Sequence, residues 1–302
     1  MTKPRPKAGS TNGPTALRML LGAHLRRLRE AQGITRHTAG YRIRGSDSKI
    51  SRMELGRVGF KERDVQDLLD FYHVTDEAER DRLLALAREA NNPGWWHRFG
   101  DVLPGWFQAY VDLESTAQLI RSYEIQFVPG LLQTRRYAAE IVREGNRTAS
   151  RSEIEHRVEL RVSRQEMLLG ERGPNTPRAP NFWAVIDEGA LRRRIGGTEV
   201  MREQLHHLIE VAQRDNVMLQ IMPFSVGSHT YTNGAFSILR FPDADLPDIV
   251  YLEQLLSAVY LDKREEVDQY IHAMELLCVQ AEAPNKTVGI LEGILKDMED
   301  AS

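Results

Sequence analysis

The sequence has almost no cysteine and no long apolar run. Cys278 is the one cysteine in 302 residues, which excludes an internal disulfide and every zinc site built from several cysteines. No stretch approaches the roughly 18 uncharged apolar residues that read as a membrane span. A secretory leader is not expected either. The basic start (Lys3, Arg5, Lys7) runs into Pro and Gly, and Leu17–Leu25 is interrupted by Arg18 and His24, so no apolar core segment follows. A cytoplasmic protein with no membrane partner is the expectation. What is present is a soluble globular composition, 41% apolar and 27% charged with both signs mixed. At roughly 100–200 residues per domain the chain has room for two domains with real cores.

The net charge of −3 conceals an asymmetry. Residues 1–63 carry 15 Lys and Arg against 4 Asp and Glu, a local balance of +11. Residues 92–302 carry 22 against 31, or −9. A basic end on an acidic body suits a nucleic-acid-binding module joined to something else, although arginine-rich helices also occur simply as solvated faces. Residues 1–14 hold little that can be buried and read as a disordered basic arm, with residues 15–91 and 92–302 as the two domains.

Leu17, Leu20, Leu21, Leu25 and Leu28 recur at three- and four-residue steps and predict an amphipathic helix ending at Gly33. Thr35 is a good N-cap for a second, short helix, and Ser46 for a third that runs to Gly56. In that third helix Ile50 and Met53 face inward, while Asp47, Ser48, Ser51 and Arg52 point elsewhere. Two more helices, 62–72 and 75–90, complete a small all-α domain.

The run ITRHTAGYRIRGSDSKISRMELGR is similar to the helix-turn-helix segment of the Xre family of phage-repressor-like regulators, most specifically in SKISRMELGR. The resemblance implies that helix three lies in the major groove of double-stranded DNA while helix two crosses the backbone. It implies phosphate contacts from Thr35, Arg36 and Arg57, and a groove-facing set of Ser46, Asp47, Ser48 and Lys49 with Ser51 and Arg52 nearby. Ser46 is equally readable as a simple N-cap, and Arg52 as the partner of a neighbouring acid. The family pattern is broken in places. Arg36 replaces glutamine, Gly40 replaces a small alanine at about 1 kcal/mol of helix propensity, and Arg44 stands where the turn glycine belongs, with Gly45 one place later. Asp47 fills a slot often held by a base-reading glutamine, where a carboxylate accepts from cytosine N4 and is repelled by phosphate.

Beyond residue 91 an aromatic cluster (Trp95, Trp96, Phe99, Trp106, Phe107, Tyr110) reads as packing that seats the helical domain on its body, or as the wall of a ligand pocket. Strands are expected at 182–186, 217–222, 236–241 and 249–253, and a strand or extended loop at 123–128. Helices are expected around "LLQTRRYAAEIVREG" and over 152–169, 199–213, 264–282 and 286–298. The body is therefore an α/β (α+β) layered domain. The segments GWWHRFGDVLPGWFQAYVDLE, YEIQFVPGLLQT, IMPFSVGSH and DIVYLEQLLSAVYLD resemble the large carboxyl-terminal domain, of uncharacterised function, that accompanies Xre-type modules in many actinobacterial regulators. That resemblance implies DNA binding and a signal-receiving body, and a homodimeric regulator is the expectation. Some such regulators are antitoxin-like and encoded beside a small partner protein. Trp95, Trp96, Trp106, Tyr123, Gln126 and Glu253 are the candidate ligand- or partner-contacting residues.

Catalytic patterns are lacking. His206 and His207 are adjacent and point about 100° apart on a helix. Ser225, Ser228 and His229 do not form the hydrolase nucleophile elbow, and Gly196-Gly197 belongs to no phosphate-binding loop. Asp187 and Glu188 face opposite ways at a strand end. Glu253 reads as a strand-edge salt bridge or a polar pocket group, and Cys278 as core. No enzyme activity, metal or cofactor is expected.

Overall fold

A computed structural model describes residues 14–170, 179–227, 234–243 and 246–300. The expected arm (1–13), most of the GPNTPRAP loop, and Ser228 and His229 lie outside the described residues. The chain divides into two units. One comprises Met1–His97, Ala109–Thr116 and Asp243–Leu246, the other Arg98–Gln108, Ala117–Pro242 and Pro247–Ser302.

The first unit contains α1 (Pro14–Ala31), α2 (Arg36–Arg42), α3 (Asp47–Glu54), α4 (Glu62–Phe71) and α5 (Glu77–Glu89). Pro14, grouped above with the arm, instead opens α1, since proline at a first helical position has its φ preset and no amide proton to lose. Thr35, Ser46 and Asp76 cap α2, α3 and α5 by accepting from the amides of Thr38, Lys49 and Ala78. Leu21, Leu25, Ile50, Met53, Val65, Leu69 and Leu83 form one core. After a 3-10 turn at Trp95–Phe99 comes α6 (Gly105–Thr116). In its Ala109–Thr116 part, buried Asp112 accepts from the Thr15 amide and, at 3.2 Å, from Trp96 Nε1. Burial raises that carboxyl above its ordinary range.

Helices α1 to α4 all stop in the same way. The residue two past each helix turns left-handed, its amide bonding the third-last carbonyl counted from the cap, and the next amide reaches one carbonyl further back. The left-handed residues are Gly33, Arg44, Gly56 and His73, with φ of 65°, 52°, 65° and 58°. Glycine is the residue such a position favours, so two ends follow local preference and two do not. Gly40 finds its reason here as well. A Cβ on it would lie 2.9 Å from the Ser46 carbonyl carbon, so the family's alanine does not fit beneath this displaced turn.

The second unit is built on a six-stranded sheet of order β3-β2-β1-β4-β5-β6. Its elements in chain order are β1 (Leu119–Glu124), α7 (Arg135–Gly145), α8 (Arg151–Leu169), β2 (Asn181–Asp187), α9 (Glu188–Arg192), α10 (Thr198–Val211), β3 (Val217–Met222), β4 (Phe236–Arg240), β5 (Ile249–Glu253), β6 (Ala258–Leu261), α11 (Arg264–Gln280) and α12 (Thr287–Asp300). β1, β2 and β3 run parallel, and β4, β5 and β6 are antiparallel to their neighbours, so the unit is α+β. On one face Tyr123, Val185, Phe236 and Val250 pack with Val267, Met274 and Leu277 of α11. The strand expected at 123–128 lies earlier, because β2 and β4 pair with 119–124 and leave 125–128 outside the ladder. β6 was not anticipated. Its hairpin turn, closed by Gln254 N to Ser257 O at 2.9 Å, holds Leu255 and Leu256 where turn-forming residues normally signal a reversal.

A close approach fixes α1 on α3. A Cβ on Gly22 would sit 2.5 Å from the Met53 carbonyl oxygen and 2.7 Å from that of Glu54. Gly22→Ala is therefore expected to destabilise the first unit by roughly 1–3 kcal/mol despite alanine's better helix propensity. A shift of the denaturation midpoint towards stability would contradict that packing.

Candidate nucleic-acid interface

The placement of α3 is governed by one carboxylate. Glu54, the last residue of α3, is buried and accepts from buried Arg29 of α1 through Nε at 2.5 Å and Nη2 at 3.1 Å. Arg29 also donates to the Ile34 carbonyl at 2.7 Å, and Arg36 at the start of α2 donates to Glu54 at 3.2 Å. The hydrogen bond to Glu54 raises the Arg29 pKa further. Burial, with the Glu54 charge beside it, also raises the Tyr72 hydroxyl.

Around this anchor the expected contact residues separate into two sets. Thr35, Ser46, Asp47, Ser48, Arg52 and Arg57 are exposed, and Ser51 is half-buried. Ser46 is indeed the N-cap, and Arg52 donates to the Ser48 carbonyl at 3.3 Å. Lys49 turns away from this face and donates to Asp64 of α4 at 2.6 Å, while Arg36 is held against Glu54. His37, Thr38, Tyr41, Arg42 and Arg44 are exposed as well, on α2 and its turn, outside the set that the resemblance implies. Tyr41, at 85% exposure, carried a readable signal, since a large aromatic in a short basic helix has no apolar partner at i+3 or i+4.

The other candidates divide between the two units. Trp95 and Trp96 fall in the first unit and Trp106 in the second. Tyr123 is fully buried against Phe236, 6.1 Å between ring centroids, which makes it core. Gln126 is exposed, and its carbonyl accepts from Arg193 at 3.1 Å. Glu253 is exposed and accepts from the Tyr251 hydroxyl at 2.9 Å. Register places Ser122, Ser237 and Tyr251 in one row across β1, β4 and β5. Glu124 and Glu253 stand one row beyond, at the edge where these two strands end. Burial, with the nearby Glu253 charge adding to it, pushes the Glu124 carboxyl up to about 8, against a 3.4 Å bond from Ser122 and the charge of Arg161. Arg161 of α8 donates to Gln133 at 2.7 Å, and burial pulls its guanidinium down to about 10, which leaves it cationic at neutral pH. Glu253 was a candidate from the sequence and Glu124 lies in the YEIQFVPGLLQT segment, but Arg161 is far from both in sequence and only the fold brings the three charges together. Among the described residues no three His, Cys, Asp or Glu are grouped to hold a metal, and no helix is long and apolar enough to cross a membrane.

Two helices joined by a tight turn, the second presenting its amino-terminal side chains to solvent within the basic stretch 1–63, define a helix-turn-helix DNA-binding domain. The family comparison agrees, with residues 20–83 matching the helix-turn-helix domain. Residues 107–293 match the domain of unknown function DUF5753, and the chain belongs to that family. Neither a curated protein nor a solved structure matches it.

Two outcomes follow from these charges. Glu54→Ala leaves Arg29 buried without its carboxylate and is expected to lower stability by about 3–5 kcal/mol in chemical denaturation of the full chain. Glu124 binds its proton more tightly when folded, so its contribution is complete below the ordinary pKa of 4.5 and is lost as pH rises through about 8. Glu124→Gln is thus expected to gain stability relative to wild type between pH 5 and pH 9. Thermal melts of the two proteins that stay parallel over that range would refute this.

Proposed function

We propose that the protein is a sequence-specific transcriptional regulator of the Xre type, cytoplasmic and without enzymatic activity. The observation that carries this reading is the open amino-terminal face of α3 (Ser46, Asp47, Ser48, with Arg52 beside them) on a unit whose helices are locked by the buried Arg29–Glu54 pair. In this reading a homodimer sets one α3 in each of two major-groove half-sites about 34 Å apart. Arg57 contacts phosphate, and Asp47 discriminates bases, favouring cytosine. The DUF5753 unit receives the signal, as a small ligand or a small protein. A second reading makes it an antitoxin-like module whose main task is holding a small protein encoded nearby. It is favoured by Leu255 and Leu256, 93% and 83% exposed at the tip of the β5–β6 hairpin.

Fluorescence anisotropy tests the first reading, using duplex from upstream of the protein's own coding sequence, a scrambled duplex and a salt series. Preference for the native duplex with strong salt dependence supports it. Asp47→Ala is expected to change which duplexes are preferred. Arg57→Ala should weaken all of them alike and reduce the log–log salt slope by about one. Weak and equal binding of wild type to both duplexes would reject the regulator reading and leave the partner-binding one.

A further inference from the structure

Among the four left-handed helix ends, the one at Arg44 lacks an internal explanation. Gly33 and Gly56 carry no Cβ. His73 belongs to a residue type enriched in this conformation. Arginine is not, and the left-handed conformation is unfavourable for a residue that carries a Cβ. The Arg44 side chain recovers little of this within the fold. It is 70% exposed, and its guanidinium reaches Asp67 only at 4.0 Å, an exposed pairing of the kind that contributes little. Its position is suggestive: it lies two residues before Ser46, the N-cap from which α3 presents its reading face. Lys49, a cation expected beside it, is turned to Asp64, and Arg36, though exposed, gives its Nε to Glu54. Asp47 adds a negative charge in the first turn of α3.

We infer that Arg44 is a DNA phosphate contact, retained at a position that favours glycine because it supplies positive charge at the lip of the groove, where Asp47 would otherwise repel the duplex. The inference rests on the DNA-binding reading above. The contact is to phosphate and not to a base edge, since Arg44 precedes the helix whose amino-terminal residues enter the groove. Strain is thereby exchanged for binding at a single residue.

The test compares full-length wild type, Arg44→Gly, Arg44→Lys and His73→Gly in thermal melts and in anisotropy titrations on the native and scrambled duplexes across a salt series. Arg44→Gly and His73→Gly are both expected to raise the melting midpoint by roughly 2–8 °C, since each relieves the same backbone conformation. Only Arg44→Gly should weaken binding, by about three- to tenfold at 0.1 M salt on both duplexes, with the salt slope reduced by roughly 0.9. Arg44→Lys should retain most of the slope. Wild-type binding with an unchanged slope in Arg44→Gly would overturn this inference alone. Equal losses in Arg44→Gly and His73→Gly would also overturn it, since His73 then reports a general effect of the turn. Failure of wild type to bind either duplex would overturn both this inference and the regulator reading.

Discussion

The architecture of the reading head depends on the buried Arg29–Glu54 pair. One carboxylate at the end of α3 takes two hydrogen bonds from α1 and a third from the first residue of α2, so three helices share a single acceptor group. Such a pair adds little net stability compared with apolar residues of the same volume, because both charges lose their water. Its bonds are directional, however, and hydrophobic contacts are not. The core of Leu21, Leu25, Ile50 and Met53 holds the helices together, and the pair with the Gly22 approach determines how α3 is presented. A reading helix needs that orientation more than it needs extra stability.

The same pairing changes the meaning of the basic charge. The balance of +11 over residues 1–63 suggests a broad field directed at phosphate. Yet Arg29 and Lys49 are turned to Glu54 and Asp64 within the domain, and Arg36, itself exposed, gives its Nε to Glu54. The exposed cations on α2, α3 and their flanking turns are Arg36, Arg42, Arg44, Arg52 and Arg57, and Arg42 lies over the Phe71 ring, 6.0 Å from its centroid. Affinity for DNA is therefore to be sought in a few exposed arginines around one turn. Salt dependence follows the number of phosphates neutralised, so it is not to be read from the domain's total charge.

In the acidic unit, polar chemistry gathers where topology directs it. β1 and β5 run the same way although β4 lies between them, so both end at one edge of the sheet and bring Glu124 beside Glu253. Two carboxylates at one edge resist ionising together, and the Arg161 cation eases that only in part. With burial as the larger cause, the Glu124 carboxyl is held well above the ordinary carboxylate range. Open sheets commonly place polar groups of this kind outside the carboxyl ends of their strands.

What could be read from the sequence was whatever is local. Thr35, Ser46 and the leucine spacing of α1 identify caps and faces because their physics acts within a few residues. The strands of β2 to β5 were legible for the same reason, as short apolar runs. β1 was misplaced and β6 missed because pairing partners, distant in sequence, decide where a ladder begins, and because Leu255-Leu256 carries no turn chemistry. Lys49 was assigned to the groove, yet its side chain turns inward to Asp64, fifteen residues away, which no helical periodicity reveals. Arg44 is the opposite case. Its departure from the expected glycine was plain in the sequence, and the structure shows that the chain accepted the left-handed backbone there instead of avoiding it. A broken local rule does not by itself mark function, as His73 demonstrates with the same conformation in the turn after α4. It does so when the offending side chain is exposed, charged and beside the helix that must meet the ligand, and of the four helix ends only Arg44 meets all three conditions.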